Sequence, residues 1–269
     1  MSARRLYVEG IGLWAPRLPG WAAARTILRG ESPAPDAAQA RPAPQVLGPT
    51  ERRRAPDSVA VALEVAASAC AAAERDPRAL PSVFASSYGD LAIMDYLCEV
   101  LARAPLDTSP TRFHNSVHNA AAGYWAIATG CIEPYTAITA GEHTFGTGLL
   151  TAVVHATADR TPVLYVAYDI EARGPLATVA ASRGVLGVAL VLTPESTARS
   201  IAHLEWRLTT SDAPPTVARP ENAVLVAGNA LSEGLALLEA LADRVERTIV
   251  QSAGPRSRLE LRVEPAPAP

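Results

Sequence analysis

The sequence predicts an α/β layered sandwich built on a central buried sheet, and three observations carry that expectation. Strand-like and helix-like segments alternate along most of the 269 residues. Two strand-like runs, 162–168 (PVLYVAY) and 185–192 (VLGVALVL), are apolar on both faces, as in sheets covered on both sides. The composition, 49% hydrophobic and 19% charged, suits a well-buried globule rather than a disordered chain.

In chain order, residues 4–13 (RRLYVEGIGL) read as a first strand running into glycines. A Pro-containing turn and a short helix near 22–28 follow. Residues 31–49, rich in Pro, Ala and Gln, read as a surface loop. From 57 to 74 the apolar residues recur at helical spacing, with Asp57 or Ser58 as N-cap. A short strand at 82–87 (SVFASS) ends at Tyr88-Gly89-Asp90 and leads into a helix through 101. Residues 119–129 (NAAAGYWAIAT) form a small-residue helix stopped by Gly130. A strand at 135–140 (YTAITA) precedes a helix at 144–158, and the two apolar strands come next. Beyond 192 the pattern predicts a strand at 201–208, a Pro-rich break, a strand at 223–227, a helix at 232–244 and strands at 248–251 and 259–263. The chain thus divides into a main half over 1–195, a short α/β extension of the same domain over 196–263, and a disordered Pro-rich tail over 264–269.

Charge and composition exclude several classes. A formal net charge of −3 gives no argument for nucleic acid or an anionic membrane as partner. All 24 basic side chains are Arg, so lysine Schiff-base chemistry is ruled out. The three cysteines, Cys70, Cys98 and Cys131, form no CxxC pair. They read as buried small hydrophobes rather than a zinc site or a disulfide framework. The N-terminus has no signal-peptide pattern, and no run approaches the ~20 apolar residues of a membrane span. The expectation is a cytoplasmic protein that calls for no metal and no cofactor.

The segment 119–169 carries a specific order of elements. A helix opening at Asn119 and containing Gly123 leads through Gly130 and Pro134 into a strand ending in Thr139-Ala140. Gly141-Glu142 then opens a long helix, and another apolar strand follows. This order resembles the nucleophile region of the β-ketoacyl synthases, over which it can be laid without a gap from 119 to 159. The run VEGIGLWAP resembles the opening strand of that family. Ser86-Ser87-Tyr88-Gly89-Asp90-Leu91 resembles its Gly-rich turn before the helix that lines the acyl pocket. The resemblance spans about residues 4–192 and implies a thiolase-like layered sandwich, here a single half with a much reduced C-terminal part.

Two departures stand out. Condensation needs a thiolate, which a Cys at a helix N-terminus supplies with help from the helix dipole. The matching position is Glu142, or Gly141 with a one-residue shift, and neither forms a thioester. The resemblance also implies two catalytic histidines and a lysine from a second α/β half. After Leu192 the chain has too few residues for that half, with one histidine, His203, and no Lys. This combination resembles the chain-length factors that partner ketosynthases, and more narrowly the short subunits of aryl-polyene-type pathways.

Each candidate residue has a functional reading and a plainer one. Met94, Leu97, Cys98 and Leu101 share one helix face at i, i+3, i+4, i+7 spacing. The resemblance implies that they line an acyl tunnel, with Met94 the most adaptable of them; plain core is the alternative. Phe113, His114, Asn115, Ser116, Val117 and His118 fall where the family places a dimer-interface strand and loop. His114 and His118 lack an adjacent third metal ligand and read as hydrogen-bonded interface residues. Glu142, His143 and Thr144 read as a helix-start turn satisfied by the Glu and Thr side chains, or as an acid–base cluster. The run Glu51-Arg52-Arg53-Arg54 reads as a solvated patch, with an acidic carrier protein as its other reading.

The expected function is a non-catalytic chain-length-factor-like subunit in fatty-acid or polyketide biosynthesis. It would pair as a heterodimer with a full-length β-ketoacyl synthase, wall the acyl tunnel, and meet acyl carrier protein through that partner. An isolated half exposes apolar surface around 113–129, so homodimers are the expectation without the partner. The alternative is a small stand-alone enzyme acting on acyl or carrier-bound thioesters through Glu142 and His143. A Ser–His hydrolase is set aside because no G-x-S-x-G elbow is present.

Overall fold

The structure, a computed structural model, describes residues 4–36, 41–180 and 182–266. In chain order its elements begin with strand β1 (Arg4–Ala15), β2 (Leu18–Pro19) and helices α1 (Trp21–Leu28), α2 (Pro49–Arg54) and α3 (Asp57–Ala72). Then come β3 (Ser82–Ala85), α4 (Leu91–Arg103), α5 (Pro110–His114), α6 (Ala120–Thr129), β4 (Tyr135–Ile138), α7 (Thr144–Asp159), β5 (Val163–Asp169) and β6 (Leu186–Thr193). The remainder is β7 (Ala202–Thr210), α8 (Pro220–Ala223), α9 (Leu235–Asp243), β8 (Arg247–Gly254) and β9 (Ser257–Pro265).

One mixed sheet runs in the order β4-β3-β5-β6-β1-β7-β9-β8, with β2 folded back on β1. Strands β4, β3 and β5 are parallel, and every later neighbour pair is antiparallel. Helices α1, α7 and α9 cover one face, and α3 with α6 cover the other. The full burial of β5 and β6 explains why both read as apolar throughout. Helix α3 lies unusually close to the sheet because β1 offers it glycines. A Cβ on Gly10 would overlap the Ala69 carbonyl, and one on Gly12 the Val65 carbonyl.

Helix α3 covers β1, β5 and β6, so among the described residues the same face of β7, β9 and β8 has no helical layer. Charged side chains occupy it instead. Arg207 donates to Glu260 at 2.7 Å, Arg5 to Glu205 at 2.8 Å, and His203 lies 3.0 Å from Glu264. These pairs keep an uncovered sheet face wet rather than sticky.

Several local expectations need correction. Residues 223–227 are not a strand: Ala223 ends the short helix α8 and Val224–Val226 form a 3-10 turn. Pro220 opens that helix, and Arg219 is held by the buried Glu239 carboxylate, which folds the apolar run into a turn. Strand β9 continues through Glu264 and Pro265, paired with His203 and Ala202, in place of the expected disordered tail; residues 267–269 lie outside the described residues. The N-cap position of α3 falls on Pro56 rather than Asp57 or Ser58, and Ser58 instead donates to Asp90 at 2.7 Å. Cys70 and Cys131 are buried as expected, whereas Cys98 is exposed on α4.

Candidate functional site

The carboxyl ends of the parallel strands β3, β4 and β5 meet at one edge of the sheet, where α/β folds commonly place ligands. Asp169 closes β5 there and is fully buried. Its carboxylate accepts hydrogen bonds from Ser86 Oγ (2.9 Å), Ser87 N–H (2.8 Å) and Tyr88 N–H (3.2 Å). Burial pushes its carboxyl up to about 6, against those three donors, which favour the charged form. The turn after β3 is therefore tied down by one acid. His118 Nε2 donates to the Ser86 carbonyl at 3.0 Å, and Thr139 Oγ1 donates to the Ser87 carbonyl at 3.0 Å.

Beside this turn, residues 141–143 form a 3-10 turn that leads into α7. Thr144 organises it, accepting from the Ala140 N–H at 2.9 Å and donating to the Gly141 carbonyl at 2.7 Å. Among the described residues Glu142 makes no capping bond, contrary to expectation; its side chain is 87% exposed. His143 turns the other way. Its Nδ1 lies 2.7 Å from Ser252 Oγ on β8, while Nε2 sits 3.7 Å from Glu142 Oε1. The Ser252 N–H donates to the Glu233 carboxylate, whose carboxyl is raised by burial despite that bond. Close packing holds this corner in place: a Cβ on Gly146 would overlap the Ser252 carbonyl, and Tyr165 donates to the Phe145 carbonyl at 2.7 Å.

The predicted tunnel stripe divides. Leu97 is buried, but Met94 is 43% and Leu101 58% exposed, and Cys98 is exposed beside them. Plain core does not describe an apolar stripe that faces outward. Residues 113–118 form the end of α5 and a turn rather than a strand, because Pro110 and the Ser109 cap start a helix there. Phe113 is 64% exposed and Val117 is also exposed; His114 lines an apolar groove of about 340 Å³ with Val117, Tyr124 and Ile127. Asn115 is buried and accepts from Tyr124 OH at 3.1 Å, whereas Ser116 bonds the Phe113 carbonyl at 2.8 Å. Among the described residues no three His, Cys, Asp or Glu side chains cluster as metal ligands. Arg54, at the end of α2, borders a groove of about 710 Å³ with Arg112 and Arg173.

Asp169, Glu233 and Ser252 are site residues that sequence reasoning misses. Asp169 alone leaves a trace, a carboxylate closing a strand that is otherwise apolar; Ser252 stands 109 residues from its partner His143.

A layered sandwich whose parallel strands deliver a Gly-rich turn, a Thr-Ala-Gly-Glu turn and a buried helix to one corner is a thiolase-like ketosynthase fold. The chain belongs to the family described as β-ketoacyl synthase, N-terminal domain, whose profile matches residues 22–256. No curated protein matches the sequence. Among solved structures, a chain of the ketosynthase in complex with its chain length factor from Xenorhabdus doucetiae superposes with a TM-score of 0.72 at 21% identity. That match covers 96% of this chain and 98% of the other. The ishigamide ketosynthase/chain length factor gives 0.70 at 17% identity over 96% and 99% of the two chains. A β-ketoacyl synthase from Burkholderia phymatum STM815 gives 0.60 at 14% identity, covering 90% of this chain and 72% of its own. Among the described residues no helix is long and apolar enough to cross a membrane.

Proposed function

We propose that this chain is a chain-length-factor-like subunit that binds a full-length β-ketoacyl synthase in the cytoplasm and walls its acyl tunnel without itself condensing. The outward apolar stripe on α4 carries this reading. Met94, Cys98 and Leu101 project from a helix whose neighbour α5 exposes Phe113, while Ile127 on α6 is 82% exposed. Strand β4, at the sheet edge, pairs only with β3 among the described residues. An open strand edge beside exposed apolar helices is the pattern of a surface that another chain covers. Glu142 at the nucleophile position supports the absence of condensation, since a carboxylate forms no thioester. The full-length matches to chains of ketosynthase/chain length factor complexes support the partner's class, and aryl-polyene-type synthesis is the pathway class we favour.

Co-expression with a full-length ketosynthase, followed by size-exclusion chromatography with light scattering, tests this. A one-to-one complex whose condensation depends on this chain is the expected outcome; a homodimer is expected when the chain is alone. A stable monomer that ignores ketosynthases would refute the reading.

A further inference from the structure

We propose that Ser252 and His143 form a nucleophile–base pair that hydrolyses acyl thioesters at the corner where α7 meets β8. The pair stands on its own geometry, independent of the chain-length-factor reading. Ser252 Oγ and His143 Nδ1 are 2.7 Å apart, within the range of an activated nucleophile and its base. Both are largely shielded, Ser252 being 5% exposed, as suits a group that reacts away from bulk water.

The surroundings supply the remaining parts. With Nδ1 accepting from the hydroxyl, the imidazole carries its proton on Nε2, on the side of Glu142 Oε1 at 3.7 Å. Glu233 fixes the main chain of Ser252 through the N–H group. Helix α7 runs 16 residues from this corner, and the positive end of its dipole favours a developing oxyanion there. An apolar groove of about 420 Å³, lined by Val217, Val224 and Val226, reaches Glu233 and suits an acyl chain.

The step balances with water as the only co-reactant. Ser252 Oγ bonds to the thioester carbonyl carbon while its proton passes to His143 Nδ1. The C–S bond then breaks, and the same proton leaves with the thiol. Water attacks the acyl-serine, giving its proton to Nδ1, and the carboxylic acid departs as that proton returns to Oγ. Such a site would remove acyl chains that stall, and its serine sits within strand β8 rather than in a G-x-S-x-G elbow.

The test treats the full chain, alone and with its ketosynthase, with a fluorophosphonate probe and with octanoyl-N-acetylcysteamine. The expected result is one phosphonyl adduct on the Ser252 peptide and thioester loss above the uncatalysed rate. Ser252→Ala should abolish both, and His143→Gln should lower both by about 100-fold, the usual reach of a general base. Circular dichroism verifies that the variants are folded. An unlabelled Ser252 in folded protein, or His143→Gln reacting at the wild-type rate, overturns the proposal. So does turnover that Glu142→Gln abolishes while Ser252 stays unlabelled, which favours Glu142 and His143 as a free acid–base pair. Complex formation is scored separately in the same preparations, so this proposal and the subunit reading fail independently.

Discussion

Asp169→Asn is the substitution whose consequence can be worked out most fully. The carboxyl titrates near 3.8 when unfolded and is held at about 6 when folded, mainly because burial disfavours the charge. The folded state therefore keeps its proton over a window in which the unfolded chain has lost it. The stability this group contributes is complete below pH 3.8 and is lost as pH rises through about 6. Roughly two pH units of difference correspond to about 3 kcal/mol. Asn cannot ionise, so that slope vanishes in the variant. Urea unfolding of both proteins at intervals from about pH 4 to 7.5 isolates the effect, because other groups cancel in the difference. The Asp169→Asn protein is expected to gain about 2.5 kcal/mol on the wild type across that range, the rest of the difference lying below about pH 4. It starts from a deficit of about 1–2 kcal/mol, since its amide cannot accept all three bonds from Ser86, Ser87 and Tyr88. A difference that stays flat with pH would mean that burial does not hold the proton on Asp169.

Other perturbations follow from the packing. Gly12→Ala drives a methyl into the Val65 carbonyl and should cost more than about 2 kcal/mol, read by thermal unfolding. Glu239→Ala strips a 1% exposed carboxylate from Arg219 and Asn222 and should cost about 3 kcal/mol in urea unfolding. Ile127→Arg changes an 82% exposed side chain, so stability should stay within about 0.5 kcal/mol while co-elution with a ketosynthase is lost.

The parts of the fold that are legible in sequence share a physical cause. Strands β5 and β6 announce themselves because both faces are covered, and α3 because its apolar face repeats at helical spacing. Residues 223–227 mislead because a short apolar run suits a strand as well as a turn, and Pro220 with the distant Arg219–Glu239 contact decides. In the site, Glu142 and His143 are legible as neighbours at a helix start. Ser252 and Glu233 are not, since β8 and the turn before α9 meet at the corner only once the chain has folded. The α4 stripe is legible as apolar, but its outward direction depends on which neighbours pack against the helix. Residues 113–118 take a helical turn through the Ser109 cap, a local signal that competes with the strand expectation and wins.

Whether this chain sets acyl-chain length is decided most directly by the product-length distribution, by mass spectrometry, of a ketosynthase reconstituted with this chain and with Met94→Trp. Met94 lies on the exposed apolar stripe, where Trp adds bulk. The complex should form with both proteins, and Met94→Trp should shift products to shorter chains. An intact Met94→Trp complex whose product lengths match those of the unsubstituted complex would contradict the tunnel-wall role.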